Sequence, residues 1–308
     1  MVCKYKIAAY ITAYEDPTAV INCLNAIAAQ SVAVDKLLIL DNSIQQPLWH
    51  LANKENIYIK FYPENIGIGA GLSWAITWAI QQEYDFLWAF DQDSTPEKDC
   101  LIQLLSVYET LNSSKYLIGI IAPTAIDYRS HQNISGAIFD RDRFTACQPA
   151  NEEEYYECDS PITSGSLIFL PVAKTIAAPR ADLFIDGIDL DYGLRLKQKG
   201  FHNLIVTPAV MQHNFGNPIQ VKFFQKQRYI QQYSALRHYY ICRNHTYLET
   251  RYAQGGYRIT SIMRRTKYML SSMFWIILYD GKNKKLKLWA CLLGTYHGLK
   301  GKLGKIWC

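Results

Sequence analysis

The stretch Tyr84-Asp85-Phe86-Leu87-Trp88-Ala89-Phe90-Asp91-Gln92-Asp93 decides how the chain is read. Its apolar run predicts a buried strand, and two carboxylates at i and i+2 leave the strand's carboxyl end. In an open α/β sheet that edge is where ligands bind. Two buried acids so close together call for a cation. Hard oxygen ligands suit Mg²⁺ or Mn²⁺, which usually arrive with a substrate phosphate. The Asp-x-Asp (DXD) motif therefore points to a metal-diphosphate site and a nucleotide-activated substrate. A second reading stands beside it. Asp93-Ser94-Thr95-Pro96-Glu97 also carries a helix-start pattern, with Ser94 or Thr95 as N-cap and Pro96 as first helical residue.

Working outward, residues 5–12, 36–40 and 57–62 are further apolar runs that predict strands. Residues 17–30 show helical spacing, with Val20, Leu24 and Ile27 on one face. A second helix is expected from about Leu72 to Gln82. Strands alternating with helices predict a parallel, doubly wound sheet. Asp41 and Asp91 both sit just beyond strand carboxyl ends, so they should lie on one side of the sheet. The glycine loop Asn65-Ile66-Gly67-Ile68-Gly69-Ala70-Gly71 lacks the Lys-Ser/Thr of a P-loop. A turn with glycines at positive φ is favoured over direct phosphate contact.

Residues 117–122 and 166–170 read as two more strands, and the polar segment 127–160 as a long loop. Asp186, Asp189 and Asp191 then crowd three carboxylates into six residues near a predicted helix start. Such crowding raises the pKa of at least one acid, as a general base near neutrality needs. Helix-dipole capping is the alternative. After the strand 204–206 comes His213, a candidate third metal ligand.

Length and composition fit one large domain, or a domain with an appendage: 308 residues, 49% hydrophobic and 19% charged. The net charge of +5 is unevenly spread: residues 251–308 carry twelve Lys/Arg and one acid, Asp280, so that segment is +11 and the rest is −6. Its alternation of basic and apolar groups predicts amphipathic helices on an anionic membrane surface, with a dimer-forming or core-covering pair as the alternative. No nucleic-acid motif accompanies it. The eight scattered cysteines form no Cys-x-x-Cys pair and read as reduced thiols. Residues 1–11 mimic a signal peptide, but the short apolar stretch runs into Glu15-Asp16-Pro17, so a first core strand is expected. No apolar stretch approaches the ~20 residues of a membrane span.

In this order the pieces resemble the GT-A-type transferases of glycosyltransferase family 2, with the bacterial rhamnosyltransferase branch as the nearest likeness and galactofuranosyltransferases as relatives. The text that carries the resemblance is Ile11-Thr12-Ala13-Tyr14, Leu40-Asp41-Asn42-Ser43, Asn65-x-Gly67, Asp91-Gln92-Asp93-Ser94, Ile162-Thr163-Ser164-Gly165, Leu183-Phe184-Ile185-Asp186, Asp189-x-Asp191 and His213-x-x-Gly216. Tyr239-Tyr240-x-x-Arg243-Asn244 and Gly298-Leu299-Lys300-Gly301 also look like this branch. The chain departs from the usual pattern at Ala13-Tyr14-Glu15, at Ser73 and at Asp191, where Glu is common.

The resemblance implies a GT-A-type doubly wound, mostly parallel (Rossmann-like) sheet over 1–250 and a C-terminal helical, basic extension over 251–308. It implies an inverting, metal-dependent transfer of a sugar, L-rhamnose from dTDP-rhamnose before galactofuranose from a UDP donor, to a glycan or lipid-linked acceptor in cell-surface polysaccharide synthesis. Thr12, Tyr14, Glu15, Asp41, Asn65, Gly67, Asp91 and Gln92 are the implied nucleotide-binding residues. Asp93, His213 and Asp91 would hold Mg²⁺ or Mn²⁺. Asp189 is the implied base, with Asp191 or Asp186 orienting the acceptor, and Ser164 and Gly165 passing under the donor sugar. The implied place is cytoplasmic, peripheral to the inner face of the membrane, and a homo-oligomer is compatible with this. A nucleotidyltransferase is disfavoured because Tyr14-Glu15-Asp16 lacks the Gly-rich basic signature. A non-catalytic sugar-nucleotide or membrane-binding protein would not need Asp91, Asp93, Asp189 and His213 together.

Overall fold

The computed structural model describes residues 4–52, 54–113, 116–149 and 153–307. The first three residues of the leader-like start, residues 150–152 of the expected loop and Cys308 lie outside the described residues. In chain order the elements begin with β1 (Ile7–Ala13), α1 (Pro17–Ala28), β2 (Lys36–Asp41), β3 (Ile57–Phe61), α2 (Gly67–Gln81), β4 (Phe86–Asp91), β5 (Ser94–Pro96) and α3 (Cys100–Asn112). There follow β6 (Ile118–Asp127), β7 (Asn133–Ile134), β8 (Ala137–Asp140), β9 (Arg143–Ala146), β10 (Tyr155–Glu157), β11 (Leu167–Phe169), α4 (Leu170–Ala173), α5 (Ile188–Gln198) and β12 (His202–His213). The chain ends with β13 (Pro218–Phe223), β14 (Lys226–Gln231), α6 (Ala235–Tyr252), α7 (Tyr257–Tyr279) and α8 (Lys284–Lys300).

These form two compact units: 1–138, 146–181 and 188–214 in the first, and 139–145, 182–187 and 215–308 in the second. The boundary expected at residue 250 falls inside α6.

The first unit is built on one sheet, ordered β10-β12-β6-β11-β4-β1-β2-β3. β1, β2, β3 and β4 pair in parallel, as do β6 and β12. β1 and β4 are apolar and buried along nearly their whole length, because a central parallel strand is covered on both faces. The mostly parallel sheet is as expected, with antiparallel additions: β11 between β4 and β6, β10 beside β12, and the short strands β5 and β7. α1 starts where Asp16 accepts the amide of Ala19 at 3.0 Å and Pro17 takes the first turn.

Three local expectations are corrected. Ser94-Thr95-Pro96 is not a helix start but the strand β5, antiparallel to β12, and α3 begins only at Cys100. The glycines of 65–71 do not form an open loop: α2 starts at Gly67, and of the three glycines only Gly67 has positive φ. Gly69 and Gly71 serve packing, since a Cβ there would lie 2.5 Å from the Arg180 carbonyl oxygen and 2.6 Å from the Tyr10 hydroxyl. The segment 127–160 contains the short strands β7 to β10 in place of irregular loop.

In the second unit α6 is the central helix, with Tyr239, Tyr240, Cys242, Arg243 and Asn244 buried. β13 and β14 form a hairpin. Among the described residues no helix is long and apolar enough to cross a membrane.

Candidate active site

Strand register assembles the first part of the site. β1 pairs Thr12 with Asp91 of β4 and Ala13 with Asp41 of β2, so three strand ends meet at the carboxyl edge of the sheet. The loops beyond them are knitted together. The Gln92 side chain accepts the Tyr14 amide at 2.6 Å and donates to the Tyr14 carbonyl at 3.1 Å. Glu15, at φ 53°, donates its amide to Ser43 Oγ and accepts the Ile44 amide with its carboxylate. Gln92 and Glu15 thus fix the loop backbone at this edge, whereas the Tyr14 side chain is half exposed. Asn65 accepts the Gly67 amide and Asn42 the Ile66 amide, which fixes the start of α2.

Asp41 is fully buried. Its Oδ1 accepts the Ser43 amide at 2.9 Å, and its Oδ2 has no hydrogen-bond partner among the described residues. A buried acceptor without a donor is costly.

The second part is a group of side chains that could hold a metal ion. Ligand atoms of Asp91, Asp93 and His213 all lie within 4.8 Å of one another. His213 Nδ1 is 3.5 Å from Asp93 Oδ1. The pairing of β5 with β12 sets Ser94 opposite His213 and so brings the imidazole to the DXD motif, 120 residues away in sequence. Two carboxylates and one imidazole form a donor set that fits Mn²⁺ or Mg²⁺. Behind it runs a chain of buried hydroxyls. Ser94 Oγ is 2.8 Å from His213 Nδ1 and 2.6 Å from Ser164 Oγ, and Ser164 accepts the Asp91 amide at 3.0 Å. Gly165 holds this corner against β4: its amide donates to Ala89 and its carbonyl accepts from the Trp88 indole. At φ 80°, with Pro123 Cγ and Met211 Sδ 2.7 Å from where a Cβ would stand, the position admits only glycine.

The fold of the chain is similar to that of solved structures. A crystal structure of GalNAc-T7 with UDP, GalNAc and Mn²⁺ matches with a TM-score of 0.55 at 12% identity, over 68% of this chain and 44% of that one. S. aureus TarS 1-349 matches with a TM-score of 0.50 at 12% identity, over 95% of this chain and 80% of that one. The fold is of the GT-A type. This chain thus spans less than half the length of the GalNAc-T7 structure. No protein-family model and no curated protein sequence matches the chain.

In this GT-A unit the carboxylates of α5 differ in what they do. Asp189 is half-buried in the first turn and accepts the Leu190 amide at 2.9 Å. Asp191 is 2% exposed and pairs with Arg195 Nε at 2.8 Å. Arg195 also donates to the Ala177 and Ala178 carbonyls, so Asp191 helps hold a structural corner.

Asp186 belongs to the second unit, where the segment 182–187 is strapped to α6. Asn244 donates to the carbonyls of Leu183, Ile185 and Asp186. Arg243, fully buried and stacked on Tyr240, donates to the carbonyls of Asp182 and Leu183. Phe184, Asp186 and Gly187 all have positive φ, a bend that these bonds hold in place. Burial raises the Asp186 pKa, against the pull of Arg237 at 3.5 Å. The sequence gives Arg243 and Asn244 no role, because only the fold brings them to the strap. Ser94 was missed as a support of His213 because its local signal is that of a helix cap.

Proposed function

We propose that the chain is an inverting glycosyltransferase that moves a sugar from a nucleoside diphosphate to an acceptor hydroxyl. The observation that carries this is the Asp91–Asp93–His213 group at the carboxyl edge of a GT-A sheet. The buried, unpartnered Asp41 Oδ2 supports a pyrimidine base, whose ring N–H is the donor such an atom lacks. Tyr14 offers an exposed ring beside it for the base or ribose.

A divalent metal held by Asp91, Asp93 and His213 would neutralise the charge that develops on the leaving diphosphate. Asp189 takes the proton of the acceptor hydroxyl as that oxygen attacks the anomeric carbon from the face opposite the diphosphate. No covalent enzyme intermediate forms. Ser164, Gly165 and Ser94 hold the metal ligands from behind, and Asp191 steadies α5 through Arg195. The sequence resemblance supports dTDP-L-rhamnose as donor and a glycan or lipid-linked acceptor. Six free thiols are buried among the described residues, which supports a reducing setting.

The test is release of nucleoside diphosphate from a panel of dTDP- and UDP-sugars, with and without Mn²⁺. Metal-dependent release by the wild type, lost in Asp93→Asn, supports the proposal. Release from no donor, or release indifferent to both metal and Asp93, contradicts it.

A further inference from the structure

The β13–β14 hairpin has a tip that breaks a local rule. Its register pairs Phe223 with Lys226, leaving the two-residue loop Phe224-Gln225. Both loop residues have positive φ, 45° and 62°. Such a turn strongly favours Asn-Gly or Asp-Gly, and a bulky aromatic there is strained. Phe224 is nonetheless 85% exposed, so its ring is not held there by packing into a core. A strained position that displays an apolar ring to solvent is the kind of local conflict found at functional sites.

The tip is continuous with an apolar stripe. Phe223 stands edge-on to Phe224 at 4.6 Å and to Phe274 of α7 at 5.8 Å. Tyr279 of α7 donates to the Lys222 carbonyl, which fixes the hairpin to that helix. On α7, Ile259, Met263, Leu270, Phe274 and Ile277 are all exposed. Their spacings of 4, 7, 4 and 3 residues put them on one helix face, away from the buried Ser261, Arg265 and Ile276. An exposed apolar face of this length marks an interaction site.

Charge selects the partner. The hairpin carries Lys222, Lys226 and Arg228 and no acid, and α7 adds Arg258 and Lys267, its Arg264 and Arg265 being paired with Asp142 and Glu249. A second copy docked through this face would set like charges against each other, whereas an anionic bilayer complements them. We propose that the hairpin tip and the α7 stripe form one membrane-docking surface, with the Phe224 ring inserted among the lipid chains and Lys222, Lys226 and Arg228 at the headgroups. The surface thus includes an anchor in residues 218–231, outside the basic tail, and it does not depend on the catalytic reading.

The experiment is co-sedimentation of the full chain with vesicles of phosphatidylcholine alone and of phosphatidylcholine mixed with phosphatidylglycerol. The wild type is expected to bind the anionic vesicles, less so at high salt. Phe224→Asn suits the turn and keeps the hairpin, so it should preserve the melting temperature yet weaken vesicle binding about tenfold, the scale of burying one Phe ring. Lys222→Glu with Lys226→Glu should weaken it further. Wild-type failure to sediment, or a Phe224→Asn variant that binds unchanged, overturns the proposal. So does a dimer by light scattering that Leu270→Ser dissociates, which would make the face an interface between copies.

Discussion

The Ser94 hydroxyl lies 2.8 Å from Nδ1 of His213. An imidazole in a metal group is oriented by its hydrogen-bond partners, and removing such a partner typically costs about 10- to 100-fold in metal affinity. Ser94→Ala should therefore weaken Mn²⁺-dependent nucleotide binding by about that factor while metal-free binding stays the same. Calorimetric Mn²⁺ titration in the presence of nucleotide reads the difference directly.

Asp189 and Asp191 stand two residues apart on α5 and should fail differently. Asp189→Asn is expected to lower turnover by at least about 100-fold, the smaller end of what a general base contributes, with donor binding unchanged. Asp191→Ala leaves Arg195 without its carboxylate and should cost about 2 kcal/mol of stability, reduced from the fully buried case because Arg195 keeps some solvent contact. Single-turnover assays and thermal melts separate the two. Loss of donor binding in Asp189→Asn would move that residue into the nucleotide site.

Gly165→Ala tests the corner behind the metal group. The positive φ and the 2.7 Å approach of Pro123 and Met211 leave no space for a Cβ. A loss of about 3 kcal/mol is expected from backbone strain and overpacking together. Chemical denaturation measures it, and an unchanged midpoint would contradict the corner's geometry.

His238 sets a pH dependence of stability in the second unit. Burial, with the Lys287 ammonium adding to it against Asp280, pushes its pKa from 6.5 down to about 4. The unfolded chain binds this proton below about pH 6.5 and the folded chain does not until about pH 4, so stability falls as pH drops through that window. Between about pH 7 and pH 5 the loss from this group is on the order of 2 kcal/mol. His238→Gln should flatten the slope by that amount in melts taken across the range.

What was legible in the sequence follows from burial. β1 to β4 are covered on both faces, so their apolar runs stand out, and Asp41 and Asp91 mark their ends. β5 was ambiguous because Ser94-Thr95-Pro96 carries the chemistry of a helix start, and only pairing with β12 overrides it. That same pairing brings His213 to Asp93, so the third ligand was a candidate by type but not by geometry. The start of α2 was placed five residues late because glycines are weak helix formers, whereas here they admit Arg180 and Tyr10 at close range. β11 is three residues long, and nothing in so short a run gives its direction.

The central claim is a metal-dependent nucleoside-diphosphate site on Asp91, Asp93 and His213. Calorimetric titration of the purified chain with UDP and with dTDP, each with and without Mn²⁺, tests it most directly. The account predicts that one of the two binds, that Mn²⁺ tightens it, and that Asp93→Asn removes the metal effect. Binding of neither diphosphate in either condition would contradict it.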